Sequence, residues 1–279
     1  MGNNILIQHY NNQIASFCEH FHNTKERQDV EDIHQLRVYT KRIRTNLTLM
    51  EIISNDEFSK KEHYNLFSRL FRKAGKLREN QIHLDLIENY DSHRLTPYEE
   101  HLLQTKINAM ENVQMELNAF DFSKLNNLDN SLLEKVSHIS DETVAEQSIA
   151  FLLKKLNRVE KLKSKINNEH KLHKIRIHLQ AVREILRLMV TIQSAEIIYK
   201  FQNDSKALTD MIGKWHDYSV LIFSLKQFTD ENILQNLNQV TGQIEAEYEF
   251  IRKSIGHSLN NYPDPAKLKV IEQWPSFNA

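Results

Sequence analysis

The sequence predicts an all-α protein of two four-helix halves formed by an internal duplication, whose half-sites, related by a pseudo-two-fold, would line one groove. Three observations lead there. Glycine (5) and proline (4) are scarce among 279 residues while 40% are apolar, which favours long helices over Gly-rich α/β folds or β-sandwiches. Apolar residues recur at helical spacing along most of the chain. Finally, "IHQLRVYTKRIRTNLTLM" at 33–50 returns as "LHKIRIHLQAVREILRLM" at 172–189.

In order, the periodicity predicts helices over 5–22, 29–54, 57–90 and 97–119. The stretch "DFSKLNNLDNSLLEKVSHISD" is rich in Asn, Ser and Asp and reads as a connector. Helices resume over 141–167, 169–192, 194–228 and 232–259. Residues 1–139 thus form a first half, 140–260 a second, and 261–279, with three of the four prolines, an irregular tail.

Cys18 is the single cysteine, so no intramolecular disulfide or Cys-based metal knuckle is available. The opening "MGNNILIQHYNNQ" lacks the basic and apolar regions of a secretory signal, and Leu6 stands where myristoylation needs Ser or Thr. No window approaches eighteen consecutive apolar residues, which excludes a transmembrane helix. A soluble, cytoplasmic protein is expected.

The repeat is more than hydrophobic. His34 and Arg37 fall on His173 and Arg176 at an offset of 139, and Arg44, Leu47 and Met50 fall on Arg183, Leu186 and Met189. Gly75-Lys76 falls on Gly213-Lys214 at an offset of 138, so two of five glycines occupy equivalent places. On a helix, His34, Arg37, Lys41, Arg44 and Thr48 form a stripe about 80° wide. Leu36, Tyr39, Ile43, Leu47 and Met50 form a separate apolar face suited to a bundle core. His173, Arg176, Gln180, Arg183 and Arg187 repeat the stripe, beside Ile175, Val182, Leu186 and Met189. In the third helix Arg69, Arg72, Lys76 and His83 share a sector, and Arg69–Arg78 holds five cations and no acid. Lys206, Lys214 and Asp217 share a face in the second half, with His216 beside it.

A solvated helix face alternates charge at i,i+4, where like charges repel by a few tenths of a kcal/mol. Here Arg37–Lys41, Arg72–Lys76 and Arg183–Arg187 are like-charge pairs, although the whole chain carries only −1. An external polyanion would relieve that repulsion. Arg forks engage two phosphate oxygens, Lys adds a mobile point charge, and His adds a donor that charges below neutral pH.

At these residues the sequence resembles the CHAD family, the conserved-histidine α-helical domain. Its motifs are matched by His34-Gln-Leu-Arg37-Val38-Tyr-Thr-Lys41-Arg42-Ile-Arg44, Ala74-Gly75-Lys-Leu-Arg78-Glu79-Asn-Gln81-Ile82, His173-Lys-Ile-Arg176-Ile177-His-Leu-Gln180-Ala-Val-Arg183 and Gly213-Lys-Trp-His216-Asp217-Tyr-Ser-Val220. The resemblance spans about residues 5 to 260. It implies two four-helix bundles around a basic cavity that binds inorganic polyphosphate without catalysis, with polyphosphate granules or a triphosphate-processing enzyme as neighbours. No Glu-x-Glu-x-Lys strand pattern of such an enzyme opens the chain. Gln180 stands where a cation is expected and Ala181 contributes none, Gln81 and Ser219 replace family acids, and the pI is near 6.9, so a poorer second half-site and weaker affinity are expected.

The expected phosphate-binding residues are His34, Arg37, Lys41, Arg42, Arg44, Arg69, Arg72, Lys76 and Arg78 in the first half. In the second they are His173, Arg176, Arg183, Arg187, Lys214 and His216. Arg42 belongs to the motif but sits at the margin of the stripe. Charge reversal of Arg37 with Arg176 should abolish binding with helix content intact, and affinity should rise between about pH 7.5 and 6 as histidines charge. No cofactor is implied. Alternative readings are a nucleic acid or a small phosphorylated ligand on the same scaffold, and a metal-dependent phosphohydrolase. Metal ranks low because Arg or Lys flanks the histidines, and nucleic acid ranks below polyphosphate because no aromatic interleaving is visible.

Overall fold

Helix starts are set by short polar side chains. Asn4, Asp29, Asp121 and Ser140 accept hydrogen bonds from the backbone N–H of Ile7, Glu31, Lys124 and Thr143, satisfying donors that a first helical turn leaves free. The computed structural model describes residues 4–55, 57–90, 92–192, 196–228 and 234–263, and these hold nine helices and no strand. They are α1 (Ile5–Arg27), α2 (Val30–Ile53), α3 (Lys60–Ile87), α4 (Ser92–Asn118), α5 (Phe122–Val136), α6 (Asp141–Lys163), α7 (Glu169–Ile192), α8 (Glu196–Gln227) and α9 (Leu234–Asn261).

The helices differ from the sequence reading at several ends, α1 running on to Arg27, and in one whole element. The stretch read as a connector is the helix α5: Leu125, Leu132 and Val136 are buried at i, i+7 and i+11, an apolar stripe masked by the surrounding Asn and Ser. It is held by Tyr10, whose hydroxyl donates to Asp129 (2.7 Å), and by His63 on the Leu128 carbonyl (2.8 Å). Helix α4 begins at Ser92 rather than at Pro97, which lies in its second turn. After α9, Tyr262 folds back so that its hydroxyl meets Ser205 Oγ at 2.6 Å; the expected irregular tail lies, from residue 264 on, outside the described residues.

Packing follows chain order within each half: α1 on α2, α2 on α3, α3 on α4, and likewise α6 to α9. Between the halves, α1 and α2 each meet both α6 and α7, while α3 meets α8 and α4 meets α9. Exchanging α1–α4 for α6–α9 maps this set of pairings onto itself, the pattern a duplication would leave. The apolar faces expected on α2 and α7 are at the centre: Leu36, Ile43, Leu47 and Met50, and Ile175, Val182, Leu186 and Met189, are all buried. With their apolar sides committed to the core, the two helices turn their cationic sides toward each other's half. Among the described residues no helix is long and apolar enough to cross a membrane.

Candidate polyanion-binding site

A cavity of about 700 Å3 opens where α2, α6, α7 and α8 meet. Helices α2 and α7 form matched walls: Val38 and Ile177, Lys41 and Gln180, Arg42 and Ala181, Arg44 and Arg183, Thr45 and Glu184, and Thr48 and Arg187 are equivalent positions and all line it. His34 and Arg176 complete these walls, Lys155 enters from α6, and Lys206 and Lys214 enter from α8. Nine Lys or Arg side chains face three carboxylates, Glu184, Asp210 and Asp217. Positive charge is therefore concentrated here in a chain whose net charge is −1.

The back of the cavity is built by the repeated arginines. Arg37 donates from Nη1 to the Phe71 carbonyl (2.7 Å) and lies over the Phe71 ring, 4.5 Å from its centroid. Burial lowers its pKa to about 10. Burial also lowers Arg176, against the opposing pull of Asp217 and Asp210, and Arg176 Nε is buried with no hydrogen-bond partner. Lys41 lies close enough to feel Arg37, Arg176 and Arg44; burial first, and then those charges, bring its pKa down to about 7.

Glu184 is fully buried and is the internal counter-ion. It accepts a hydrogen bond from His9 Nε2 (2.9 Å) of α1, pairs with Arg187 (2.9 Å), and has Arg42 Nε at 3.8 Å. Burial alone would raise its carboxyl; the His9 hydrogen bond and the charges of His9, Arg187 and Arg42 hold it below its ordinary value. Arg183 meets Asp210 at 3.4 Å, so the second wall's like-charge pair is partly relieved from within. On the first wall, Arg42 and Arg44 lie over the Tyr39 and Tyr64 rings, 4.6 and 5.6 Å from the centroids, and among the described residues Lys41 and Arg44 form no ion pair.

The sequence profile of the CHAD domain matches residues 8–226. The chain belongs to the CHAD family. Its fold is similar to the crystal structure of the CHAD domain from the plant Ricinus communis, with a TM-score of 0.62 and 16% identity over 96% of this chain and 90% of that one. No curated protein matches.

Of the residues expected to bind phosphate, His34, Lys41, Arg42, Arg44, Arg176, Arg183, Arg187 and Lys214 line the cavity. Arg37 backs it, and the charge of Arg78 is felt by both His34 and Asp217. His173 and His216 pack together behind the wall, ring centroids 5.3 Å apart. The outer α3 stripe points elsewhere: Arg69 pairs with Glu116 of α4 (3.2 Å), Arg72 is exposed, and Lys76 lines a separate cavity. Among the described residues no cluster of three or more His, Cys, Asp or Glu could hold a metal ion.

The histidines differ from the expectation in one respect. Burial lowers His34, His173 and His216, the last to about 4, and neighbouring cations lower them further. They stay neutral where an unperturbed imidazole would begin to charge. The sequence reading missed Lys155, whose pKa burial and then Arg158 lower to about 8. The signal was there: Gln147–Val159 is acid-free and carries Lys154, Lys155 and Arg158. Glu184, a lone acid between Arg183 and Arg187 whose partner His9 is distant in the chain, gave no such signal.

Proposed function

We propose that this CHAD chain binds inorganic polyphosphate without turning it over, in the cavity between α2, α6, α7 and α8. The observation that carries the reading is the convergence of nine cations on one cavity, with Lys41 and Arg44 in no ion pair among the described residues. A linear polyanion supplies closely spaced negative charge along both walls, and each Arg fork donates to two of its oxygens. Nucleic acid fits less well, because the aromatic rings beside the stripe, Phe71, Tyr39 and Tyr64, are already covered by Arg37, Arg42 and Arg44 and offer no stacking platform. Hydrolysis has no support from the His216–Asp217 neighbours, since His216 packs on His173 while Asp217 faces the cavity. An association with polyphosphate granules or with a triphosphate-processing enzyme would follow from the same binding and rests on the family resemblance.

The test is a competition titration at two salt concentrations. Labelled long-chain polyphosphate is challenged with orthophosphate, ATP, single-stranded RNA and duplex DNA. Preference for polyphosphate with a steep salt dependence supports the reading. Equal competition by RNA, or by ATP, assigns the cavity to another phosphorylated ligand.

A further inference from the structure

Helix α4 buries Leu95, Tyr98 and Leu102 and, further on, Val113 and Leu117. Between these runs, at the same helical spacing, stand Thr105 and Ala109, and α3 brings Lys73, Lys76 and Asn80 against them. The α3–α4 seam therefore does not close. A cavity of about 420 Å3 opens there and reaches Ser224 of α8. Ten of its twelve lining residues are polar, and it shares none with the polyphosphate cavity, so it stands independently of that reading.

The polar groups are ordered. Thr105 Oγ1 donates to Asn80 Oδ1 (2.9 Å), Lys73 Nζ donates to Asn112 Oδ1 (2.8 Å), and Asn112 Nδ2 donates to the Asn108 carbonyl (2.7 Å). Tyr98 donates its one hydroxyl proton to Ser224 Oγ (2.8 Å), so the 3.3 Å contact with His83 is made by His83 Nδ1–H donating to the Tyr98 oxygen. His83 Nε2 is then a bare acceptor, buried and without a partner. Burial takes His83 to about 4, which keeps that lone pair free near neutral pH.

An apolar ligand would leave His83 Nε2 unpaired and would desolvate the amides and lysines around it. A polyanion is not matched either, because the lining offers only Lys73 and Lys76 against Glu79; among the described residues neither lysine forms an ion pair. Neutral donors and acceptors dominate: the amides of Asn80, Asn108 and Asn112, the hydroxyls of Thr105 and Ser224, and the His83 imidazole. We propose that this cavity binds a small polyol bearing one phosphate, a sugar monophosphate, with the phosphate between Lys73 and Lys76 and the hydroxyls on the amides, Ser224 and His83.

Calorimetric titration of the full chain with glucose 6-phosphate and ribose 5-phosphate tests this, with glucose and orthophosphate as reference ligands. A sugar phosphate should bind saturably and at least about tenfold more tightly than either reference. Lys76→Ala, at an exposed position, should weaken it about tenfold. Ala109→Leu, which fills the cavity, should abolish it while polyphosphate affinity and the circular dichroism spectrum are unchanged. Absence of saturation by about 10 mM, orthophosphate or glucose binding as tightly as the sugar phosphates, or binding unaltered in Lys76→Ala would each overturn the assignment.

Discussion

Arg37 crosses α3 at Gly75, so closely that Nη1 would stand 2.6 Å from a Cβ at that position. Its repeat, Arg176, crosses α8 at Gly213, with Nη2 3.1 Å from the equivalent point. The recurrence of a glycine in each half thus has one cause. Each is the notch through which the repeated arginine reaches the back of the cavity.

Gly75→Ala would push the Arg37 guanidinium off the Phe71 carbonyl. The alanine gains about 1 kcal/mol of helix propensity, whereas a lost hydrogen bond from a charged donor costs about 1.5–3 kcal/mol. A net loss of about 1 kcal/mol is expected in urea unfolding. Gly213→Ala has only a few tenths of an ångström to recover and should be nearer neutral. Equal responses would show that Arg37 swings aside without cost.

Lys155 and Arg44 are cleaner probes of the ligand than the Arg37/Arg176 charge reversal, which also disturbs the helix packing. Lys155→Ala and Arg44→Ala should each weaken polyphosphate binding and reduce the salt slope by about one. Arg69→Ala, whose side chain pairs with Glu116, should change neither. A response at Arg69 matching that at Lys155 would move the binding surface onto α3.

The pH response belongs to Lys41 rather than to the histidines. Its folded pKa of about 7 lies below the ordinary 10.5, so the cost of charging it is fully present below about pH 7, and stability rises with pH between the two values. Bound phosphates favour the ammonium form and raise that pKa. Binding should therefore take up a proton above neutrality, and affinity should fall as pH rises from about 7 to 9. Calorimetry in buffers of different ionisation enthalpy reads the proton directly, and Lys41→Arg should flatten the profile. An unchanged affinity over that range would remove Lys41 from contact.

Glu184→Gln removes the charge shared by His9, Arg187 and Arg42. A stability loss of about 2 kcal/mol is expected at pH 7, together with tighter polyphosphate binding as the two arginines are freed. Because the folded carboxyl is held low, its contribution is present above the unfolded value of 4.5 and fades as pH falls through the folded one. The gap between wild type and variant should then narrow in acid. A constant gap would mean that shape, not charge, is what Glu184 supplies.

The fold was legible because the signals were local. Scarce Gly and Pro and the buried faces at Leu36–Met50 and Ile175–Met189 follow from composition and period alone. The first wall was legible for the same reason, since one helix carries its stripe. What escaped depends on partners distant in the chain. His9 reaches Glu184 across 175 positions, and Arg69 and Lys76 turn toward α4, which no wheel of α3 can show. Helix α5 escaped because Asn and Ser outnumber its three buried anchors.

The matched walls bear on the history of the chain. Two copies of a single half, paired as a symmetric dimer, would enclose a cavity of this kind, but any substitution on one wall would then be made on both. Thr45 and Glu184 occupy equivalent positions, as do Thr48 and Arg187. A carboxylate at both would set acids against the whole of the anion's path, and a threonine at both would leave the arginines mutually repelling when empty. Joining the halves in one polypeptide separates these choices. One wall can hold a resident acid, Glu184, while the other keeps a threonine at the equivalent place, so part of the cavity's charge is balanced from within and the rest stays unspent.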